Sequence, residues 1–166
     1  ISEEDVESNF TSAFTILNTQ EDPSHPEDNS WNMQMMENRY NTENQLINAV
    51  SQGQTHKAEL LFSSFSQNVF EVRSPDMVRN AKNYCIIMNT LLRKAAENGG
   101  VHPIYLDSVS SDFAKKIEQI TQCNMVEEFM KNMIRTYCRL VKNHSTIQYS
   151  TPVQKAIIKI DSDITA

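Results

Sequence analysis

The sequence predicts an all-α protein, and three observations lead to that prediction. Apolar residues recur at helical spacing along most of the chain, and no window shows the apolar–polar alternation with β-branched residues that a strand requires. All three glycines, Gly53 and Gly99–Gly100, fall where helices should end. Three of the five prolines, Pro75, Pro103 and Pro152, stand where helices should begin. We therefore expect an irregular multi-helix bundle.

These start and stop positions divide the chain into successive helices. Two capping boxes, Thr42 with Gln45 and Thr151 with Gln154, mark further helix starts. In chain order, the expected helices span residues 3–18, 30–40, 43–52, 56–67, 75–98, 103–109, 112–121, 125–143 and 152–163. Because the connections are short, helices that follow one another should pack antiparallel.

The N-terminal 28 residues are the acidic part of the chain. Residues 1–50 carry ten acidic residues and one basic residue, a net charge of −9, whereas residues 51–166 carry eleven acidic and fourteen basic residues, a net charge of +3. Acidic, aromatic-poor segments with prolines are usually solvated tails or linkers. The helix over residues 3–18 is the alternative, because Ser2 could cap it and its apolar residues share one face. Those residues are Val6, Phe10, Ala13, Phe14 and Leu17.

The helix over residues 75–98 is expected to be long, buried and central. Two apolar stripes run side by side along it, and with Ile86 and Ile87 they cover well over half of its circumference. The stripes are Met77, Ala81, Tyr84, Met88, Leu91 and Ala95, and beside them Val78, Cys85, Leu92 and Ala96. At about 1.5 Å per residue the helix spans about 36 Å, the width of a small domain. The second long helix, 125–143, has its own apolar stripe and is the natural packing partner.

Composition and cysteine usage narrow the class of protein. With 166 residues the chain is about one domain and should fold without disulfides. Cys85, Cys123 and Cys138 lie in apolar helical patterns at wide spacing, which is typical of reduced core residues. The longest uncharged apolar stretch, residues 84–88, is far shorter than the span of about 20 residues that crosses a membrane. We expect a cytoplasmic protein that crosses no membrane.

No pattern for catalysis, a cofactor or a metal is present in the sequence. There is no Gly-rich phosphate loop, no Cys-x-x-Cys or His-x-x-x-His spacing, no nucleophile elbow and no close pair of carboxylates in an apolar frame. A zinc site would require the fold to gather the cysteines with His56, His102 or His144. The methionines at 33, 35 and 36 are more typical of a helix core than of a copper(I) site. We expect no enzyme, no cofactor and no metal.

Basic residues are dispersed among acidic ones, whereas a DNA-reading domain shows a concentrated positive face. The one candidate strip lies along one side of the second long helix and consists of Lys131, Arg135, Arg139 and Lys142. A solvated helix face is the simpler explanation of such a strip. We therefore expect no sequence-specific DNA binding by this chain itself.

Two long segments carry a family resemblance: RNAKNYCIIMNTLLRKAAENGGVHPIYLDSVSSDFAKKIE (79–118) and MIRTYCRLVKNHSTIQYSTPVQKAIIKIDSDITA (133–166). They resemble the region just upstream of the DNA-binding domain in a group of AraC-type transcriptional regulators from Gram-positive bacteria. The resemblance extends over residues 40–166, including YNTENQLINAVSQG, and is most specific over 79–118. In that family a domain with two helix-turn-helix motifs begins near the equivalent of 151–166.

The resemblance implies that this chain is the regulatory half of such a regulator, which senses an effector, dimerises or both. DNA would be contacted only through a C-terminal domain that this sequence does not include. The implied organisation is an acidic helix and linker (1–28), a helical regulatory domain (29–150) and a connecting helix (151–166). Better-known members often carry a β-barrel sugar-binding domain, and this chain reads as purely helical, so arabinose-like recognition is not carried over.

Regulators of this family often bind paired half-sites, so we expect a homodimer. The apolar faces of the helices over residues 30–40 and 152–163 are the expected contact surfaces. The alternative function is a peptide- or protein-binding scaffold, because the hairpin over residues 43–67 resembles a single tetratricopeptide unit. The chain shows no repeat of about 34 residues, and a repeat superhelix in the structure would favour that alternative.

Polar residues that interrupt the apolar surface near the double glycine define a candidate effector site. Arginine binds carboxylates and phosphates in a two-pronged geometry, so the expected ligand is a small anion. The candidate residues are Arg79, Asn83, Asn89, Arg93, His102, Tyr105, Arg135 and His144. The alternative is structural, with the arginines paired to carboxylates such as Asp107 or Glu118 and His102 serving as a turn residue.

Overall fold

The computed structural model describes residues 26–66, 74–147 and 149–165. These residues form six α-helices and one short 3-10 turn. The elements are α1 (Pro26–Ser51), α2 (Thr55–Ser66), α3 (Met77–Asn98), α4 (Pro103–Glu118), the 3-10 turn Cys123–Met125, α5 (Val126–His144) and α6 (Thr151–Thr165). The predicted all-α fold is confirmed. The predicted helix over residues 3–18 lies outside the described residues.

Two predicted breaks between helices are absent, so two pairs of expected helices merge. The Thr42–Gln45 capping box does not form, because the Thr42 hydroxyl donates to the carbonyl of Asn38 at 2.9 Å and the Gln45 amide donates to the Asn41 side chain at 3.4 Å. Both contacts join residues four apart along a continuous helix, a pattern that lets threonine sit inside a helix. The predicted break between residues 109 and 112 is also wrong, since α4 is continuous there. Neither of the two predicted breaks contains a glycine or a proline, the residues that most often interrupt a helix.

Two helix starts show how side chains cap exposed amide groups. At α3 the helix begins two residues later than predicted, because Asp76 is the cap and accepts a hydrogen bond from the amide of Arg79 at 3.1 Å. At α4 the predicted start is confirmed: Pro103 occupies the first turn and His102 caps it, with Nδ1 accepting from the amide of Ile104 at 3.3 Å.

The hydrophobic core lies around α3 and α5, which pack against each other as predicted. Helix α3 also packs against α1 and α4, and α5 also packs against α1 and α2. The largest fully buried side chains come from several helices and include Tyr137, Phe62, Leu92, Ile117, Met130, Met133 and Ile134. The two helices that were predicted to pack together, α3 and α5, therefore both lie at the centre of the hydrophobic core.

Helix α3 is less completely covered than the sequence predicted. Ile86 and Ile87 are 46% and 41% exposed, although they were expected to widen the buried surface of the helix. They lie with Asn83, Thr90 and Arg93 among the exposed residues of α3. Apolar periodicity alone overstates burial here, because single apolar residues on a protein surface are common.

The packing pattern is that of a bundle. Helices α1 and α2 form the predicted antiparallel hairpin, but both also pack against α5, far away in the sequence. In a repeat array each unit contacts only its neighbours. The described helices therefore provide no support for the tetratricopeptide-like alternative. Among them, none combines the length and apolar character that a membrane span needs.

Candidate functional site at the junction of the terminal helix

The Gly99–Gly100 turn is the point where three parts of the chain meet. A Cβ atom on Gly99 would lie 2.3 Å from the carbonyl oxygen of Ser51, at the end of α1. Gly100 has φ +87°, and a Cβ atom on it would lie 2.9 Å from the Cβ of Ile147. The left-handed backbone and the two close approaches explain why glycine is needed at both positions.

The segment that follows α5 is held on this turn by hydrogen bonds. The Ser145 hydroxyl donates to the carbonyl of Gly99 at 2.6 Å, and the backbone amide of Thr146 donates to the carbonyl of Gly100 at 3.1 Å. Val101 and Ser145 also form an isolated antiparallel bridge. The double glycine therefore anchors the linker that leads to α6.

Tyr105, in the first turns of α4, connects three helices. Its ring stacks on the ring of His144 at the end of α5, with the centroids 4.2 Å apart and the planes at 26°. Its hydroxyl donates a hydrogen bond to the carboxylate of Asp161 on α6. This hydrogen bond, together with burial and the nearby negative charge, raises the pKa of Tyr105 to about 12. We call the contacts among Tyr105, His144 and Asp161 the latch.

Helix α6 is otherwise lightly attached. None of its described side chains is fully buried: Ile157 and Ile158 are partly buried, and Val153, Ile160 and Ile164 are exposed. The side-chain amide of Gln154 turns back to the carbonyls of Thr146 and Tyr149, at 2.9 and 2.7 Å, so it secures the linker and does not complete the capping box predicted with Thr151. The latch therefore provides a direct side-chain hydrogen bond between α6 and α4.

A cleft of about 270 Å³ lies beside the junction, between the last turns of α3 and the first turns of α4. It is lined by Arg93, Lys94, Glu97, Pro103, Leu106 and Asp107. Lys94 and Glu97 pair with each other at 2.7 Å, which lowers the pKa of Glu97. Within the described residues, the guanidinium of Arg93 and the carboxylate of Asp107 take part in no hydrogen bond or ion pair. The cleft thus presents one cation and one anion that are not held in a hydrogen bond or ion pair of the described chain, although the charge of Arg93 also contributes to the lowered pKa of Glu97.

Four of the eight predicted site residues lie at this end of the bundle. His102 caps α4, Tyr105 and His144 stack in the latch, and Arg93 lines the adjacent cleft. After the double glycine, Pro103, Leu106 and Asp107 lie beside the last turns of α3, whereas Tyr105 contacts His144 and Asp161. The four predicted residues thus belong to two neighbouring features and do not line a single pocket.

Arg79 and Asn83 lie elsewhere. Both are exposed near the start of α3, and 14 residues separate Arg79 from Arg93, about 21 Å along the helix axis. Neither lines the cleft. The structure therefore does not bring them together with Arg93, because residues spread over four helical turns do not converge on one small cleft.

Asn89 is a buried structural residue. Its side-chain amide donates to the carbonyl and hydroxyl oxygens of Ser110 on α4, at 3.1 and 3.3 Å. Its side-chain oxygen accepts from the hydroxyl of the fully buried Tyr137 at 2.7 Å. Burial is the main cause that raises the pKa of Tyr137. Asn89 therefore satisfies polar groups where α3, α4 and α5 meet and has no face open to a ligand.

Arg135 is also paired within the protein. Its guanidinium donates to the carboxylate of Glu128 at 2.7 Å and to that of Glu59 on α2. Both hydrogen bonds raise the pKa of Arg135, and the bond to Glu128 has the larger effect. Arg135 is thus paired with carboxylates, as the structural alternative expected, but its partners are Glu59 and Glu128 and not Asp107 or Glu118.

The two lysines of the predicted basic strip also have partners within the protein. Lys131 pairs with Glu127 at 2.6 Å, and the ammonium of Lys142 donates to the hydroxyl of Thr55 at 3.3 Å. Only Arg139 on this face is an exposed cation with no such contact in the described chain. A solvated helix face is therefore the better description of the strip.

The cysteines are consistent with core residues. Cys85 and Cys138 are buried and Cys123 is partly buried, and all three are free thiols. Burial raises the pKa of Cys85 to about 12, which leaves it a neutral thiol. Within the described ranges, no three of the histidine, cysteine, aspartate and glutamate residues are placed to hold a metal ion together, so the cysteine–histidine grouping considered from the sequence does not form there.

Sequence reasoning missed Asp161 and named Asp107 only as a possible arginine partner. Asp161 joins the latch and Asp107 lines the cleft, yet neither stands in a motif. Asp161 lies 56 positions from Tyr105, so only the packing of α6 across the bundle brings the two together. Asp107 could be anticipated only as a possible partner for an arginine.

Comparison with known proteins assigns no family. No protein-family model matches the chain, and no curated protein and no solved structure is significantly similar to it. The fold and the junction define an all-α bundle with a lightly attached terminal helix.

Proposed function

We propose that this chain is the regulatory domain of an AraC-type transcriptional regulator. The single observation that carries the proposal is the latch, in which Tyr105 joins the start of α4 to His144 of α5 and to Asp161 of α6. The segment that resembles the family most specifically, 79–118, contains the double glycine and Tyr105. In the resemblance, α6 occupies the position that leads into the DNA-binding half.

A regulatory domain needs a part whose position depends on a bound ligand and a connection that carries this change onward. The first two turns of α4 meet both needs. They supply Pro103, Leu106 and Asp107 to the cleft and Tyr105 to the latch. A ligand that draws α4 toward α3 would move Tyr105 relative to α6. The effector would therefore act on the orientation or mobility of α6.

We extend the proposal to a homodimer in the bacterial cytoplasm. Both surfaces expected for dimerisation are exposed in the described chain: Trp31 is 64% exposed at the start of α1, and Ile160 is 58% exposed on α6. Contiguous exposed apolar residues commonly mark contact surfaces. Light scattering of the purified chain should give the mass of two copies at high concentration, and a strictly monomeric mass would remove this part of the proposal.

The class of protein is tested most simply by DNA binding. This chain carries a net charge of −6 and its basic strip is partly paired internally, so it should bind no operator specifically at physiological salt. A gel shift with fragments from the upstream region of its own gene is the measurement. Tight, sequence-specific binding by this chain alone would contradict the assignment to a regulatory half.

The gene supplies a second, independent test. The proposal predicts that the codons following Ala166 encode two helix-turn-helix motifs. A gene product that contains them should shift DNA fragments that this chain does not shift. An unrelated downstream sequence would exclude the AraC-type class, while the description of the latch and cleft would stand.

A further inference from the structure

We propose that the cleft between α3 and α4 binds a free amino acid with an apolar side chain. This inference names the effector class for the sensing role proposed above and rests on it. The cleft itself is defined by Arg93, Lys94, Glu97, Pro103, Leu106 and Asp107, and its volume of about 270 Å³ is slightly below the range of about 300–1,000 Å³ that is usual for ligand sites. Only a small molecule fits a space of this size.

The balance of charge in the cleft determines the kind of ligand. Two cations and two anions line it, and Lys94 with Glu97 neutralise each other at 2.7 Å. Arg93 and Asp107 remain outside any hydrogen bond or ion pair among the described residues, while the charge of Arg93 also helps to lower the pKa of Glu97. A simple anion would be attracted by Arg93 but repelled by Asp107. A simple cation would be attracted by Asp107 but repelled by Arg93. A ligand that carries one charge of each sign satisfies both, which replaces the small anion expected from the sequence.

The geometry of the walls fits an α-amino acid. The two groups stand on different helices, Arg93 on α3 and Asp107 on α4, so they approach the cleft from its two sides. Arginine can hold the ligand's carboxylate through two parallel hydrogen bonds, and the Asp107 carboxylate can accept from its ammonium group. Pro103 and Leu106 supply apolar contact for the side chain. The ligand would then bridge α3 and α4 one turn from Tyr105 and the latch.

Isothermal titration calorimetry with a panel of L-leucine, L-isoleucine and L-phenylalanine tests the inference. At least one of the three should bind. Its N-acetyl derivative, which lacks the ammonium group, and its amide, which lacks the carboxylate, should each bind about tenfold more weakly, since each loses one charge-assisted hydrogen-bonded pair. If none of the three binds, or if the blocked derivatives bind as well as the free amino acid, the inference is wrong.

Two variants locate the site and one serves as a matched control. Arg93→Gln should weaken binding of the free amino acid about tenfold, and Asp107→Asn should abolish the preference for it over the N-acetyl derivative. Arg139→Gln removes an equally exposed arginine outside the cleft and should bind as the unmodified chain does. Binding that persists unchanged in both cleft variants would place the ligand elsewhere and overturn the inference.

These measurements report only ligand binding, so they test the proposed ligand separately from the proposed AraC-type class. If the amino acids fail to bind while the gene product reads DNA as proposed, the class of protein stands and the ligand assignment falls. If an amino acid binds in the predicted way while no DNA-binding half exists, the cleft stands and the AraC-type class falls. Because the ligand derivatives need no variant, the test remains decisive even if one of the cleft substitutions were to unfold the chain.

Discussion

Removing the phenolic hydroxyl of Tyr105 should loosen α6 while leaving the rest of the bundle unchanged. Tyr105→Phe keeps the ring, and hence the stack on His144, but deletes the hydrogen bond to Asp161. A hydrogen bond to a charged group contributes about 1.5–3 kcal/mol in general. Both partners here are partly exposed, so water replaces much of the lost interaction and we expect a cost of about 1 kcal/mol.

Hydrogen exchange measured by mass spectrometry reads this change directly. About 1 kcal/mol corresponds to a roughly fivefold faster opening, which should appear in peptides covering α6 and be absent from those covering α3 and α5. Tyr149→Phe, at an exposed tyrosine in the linker, is the matched control and should leave exchange unchanged. An equal increase in every helix would mean that Tyr105 supports the whole fold. No increase in α6 would refute the idea that the latch holds it.

The latch should also depend on pH in the alkaline range. The hydrogen bond to Asp161 is the main cause that raises the pKa of Tyr105 to about 12, whereas a free tyrosine ionises near pH 10. The latched state therefore keeps its proton at pH values where the released state has lost it. Its stabilisation is complete below about pH 10 and is lost as the pH rises through about 12. An absorbance titration should show one fewer late-ionising tyrosine in Tyr105→Phe, and an unchanged curve would contradict this assignment.

Three further substitutions separate structural roles from functional ones. Asn89→Leu should lower the free energy of unfolding by about 2–4 kcal/mol in urea titrations, because it leaves the Tyr137 hydroxyl buried without its acceptor; Asn83→Leu, on the exposed face of the same helix, should change it by less than about 0.5 kcal/mol. Gly99→Ala should cost about 1–3 kcal/mol or more in the same assay, since its Cβ would lie 2.3 Å from a carbonyl oxygen of α1, and an unchanged midpoint would show that this approach is not tight. Arg135→Met should move the midpoint of the urea titration only slightly, because its ion pairs are solvent-accessible, and complete unfolding of this variant would contradict that view.

Helix ends were the most predictable feature of this fold, because glycine and proline act through local backbone geometry. Gly53, Gly100 and Pro103 stand at helix boundaries in the structure as the sequence predicted. Polar capping patterns were less reliable. Thr42 and Gln45 have the spacing of a capping box but bond within a continuous helix, since a hydroxyl can equally well donate to a carbonyl four residues earlier.

The candidate site was predicted only in part, because some of its contacts join residues that are far apart in the sequence. His102, Tyr105 and Arg93 follow from the turn at the double glycine, which is local in sequence. Asp161 could not be anticipated, because its contact with Tyr105 depends on how α6 lies across the bundle. The roles of Asn89 and Arg135 were equally hidden, since a polar residue on an apolar helix face has the same pattern whether a ligand or the protein satisfies it.

The central claim, that this chain regulates transcription through its terminal helix, is tested most directly by chromatin immunoprecipitation of the gene product expressed from its own locus. The account predicts enrichment at a small set of sites upstream of genes, with occupancy that changes when Tyr105 is replaced by Phe and stays constant for Tyr149→Phe. A gene product that enriches no DNA above background would contradict the account.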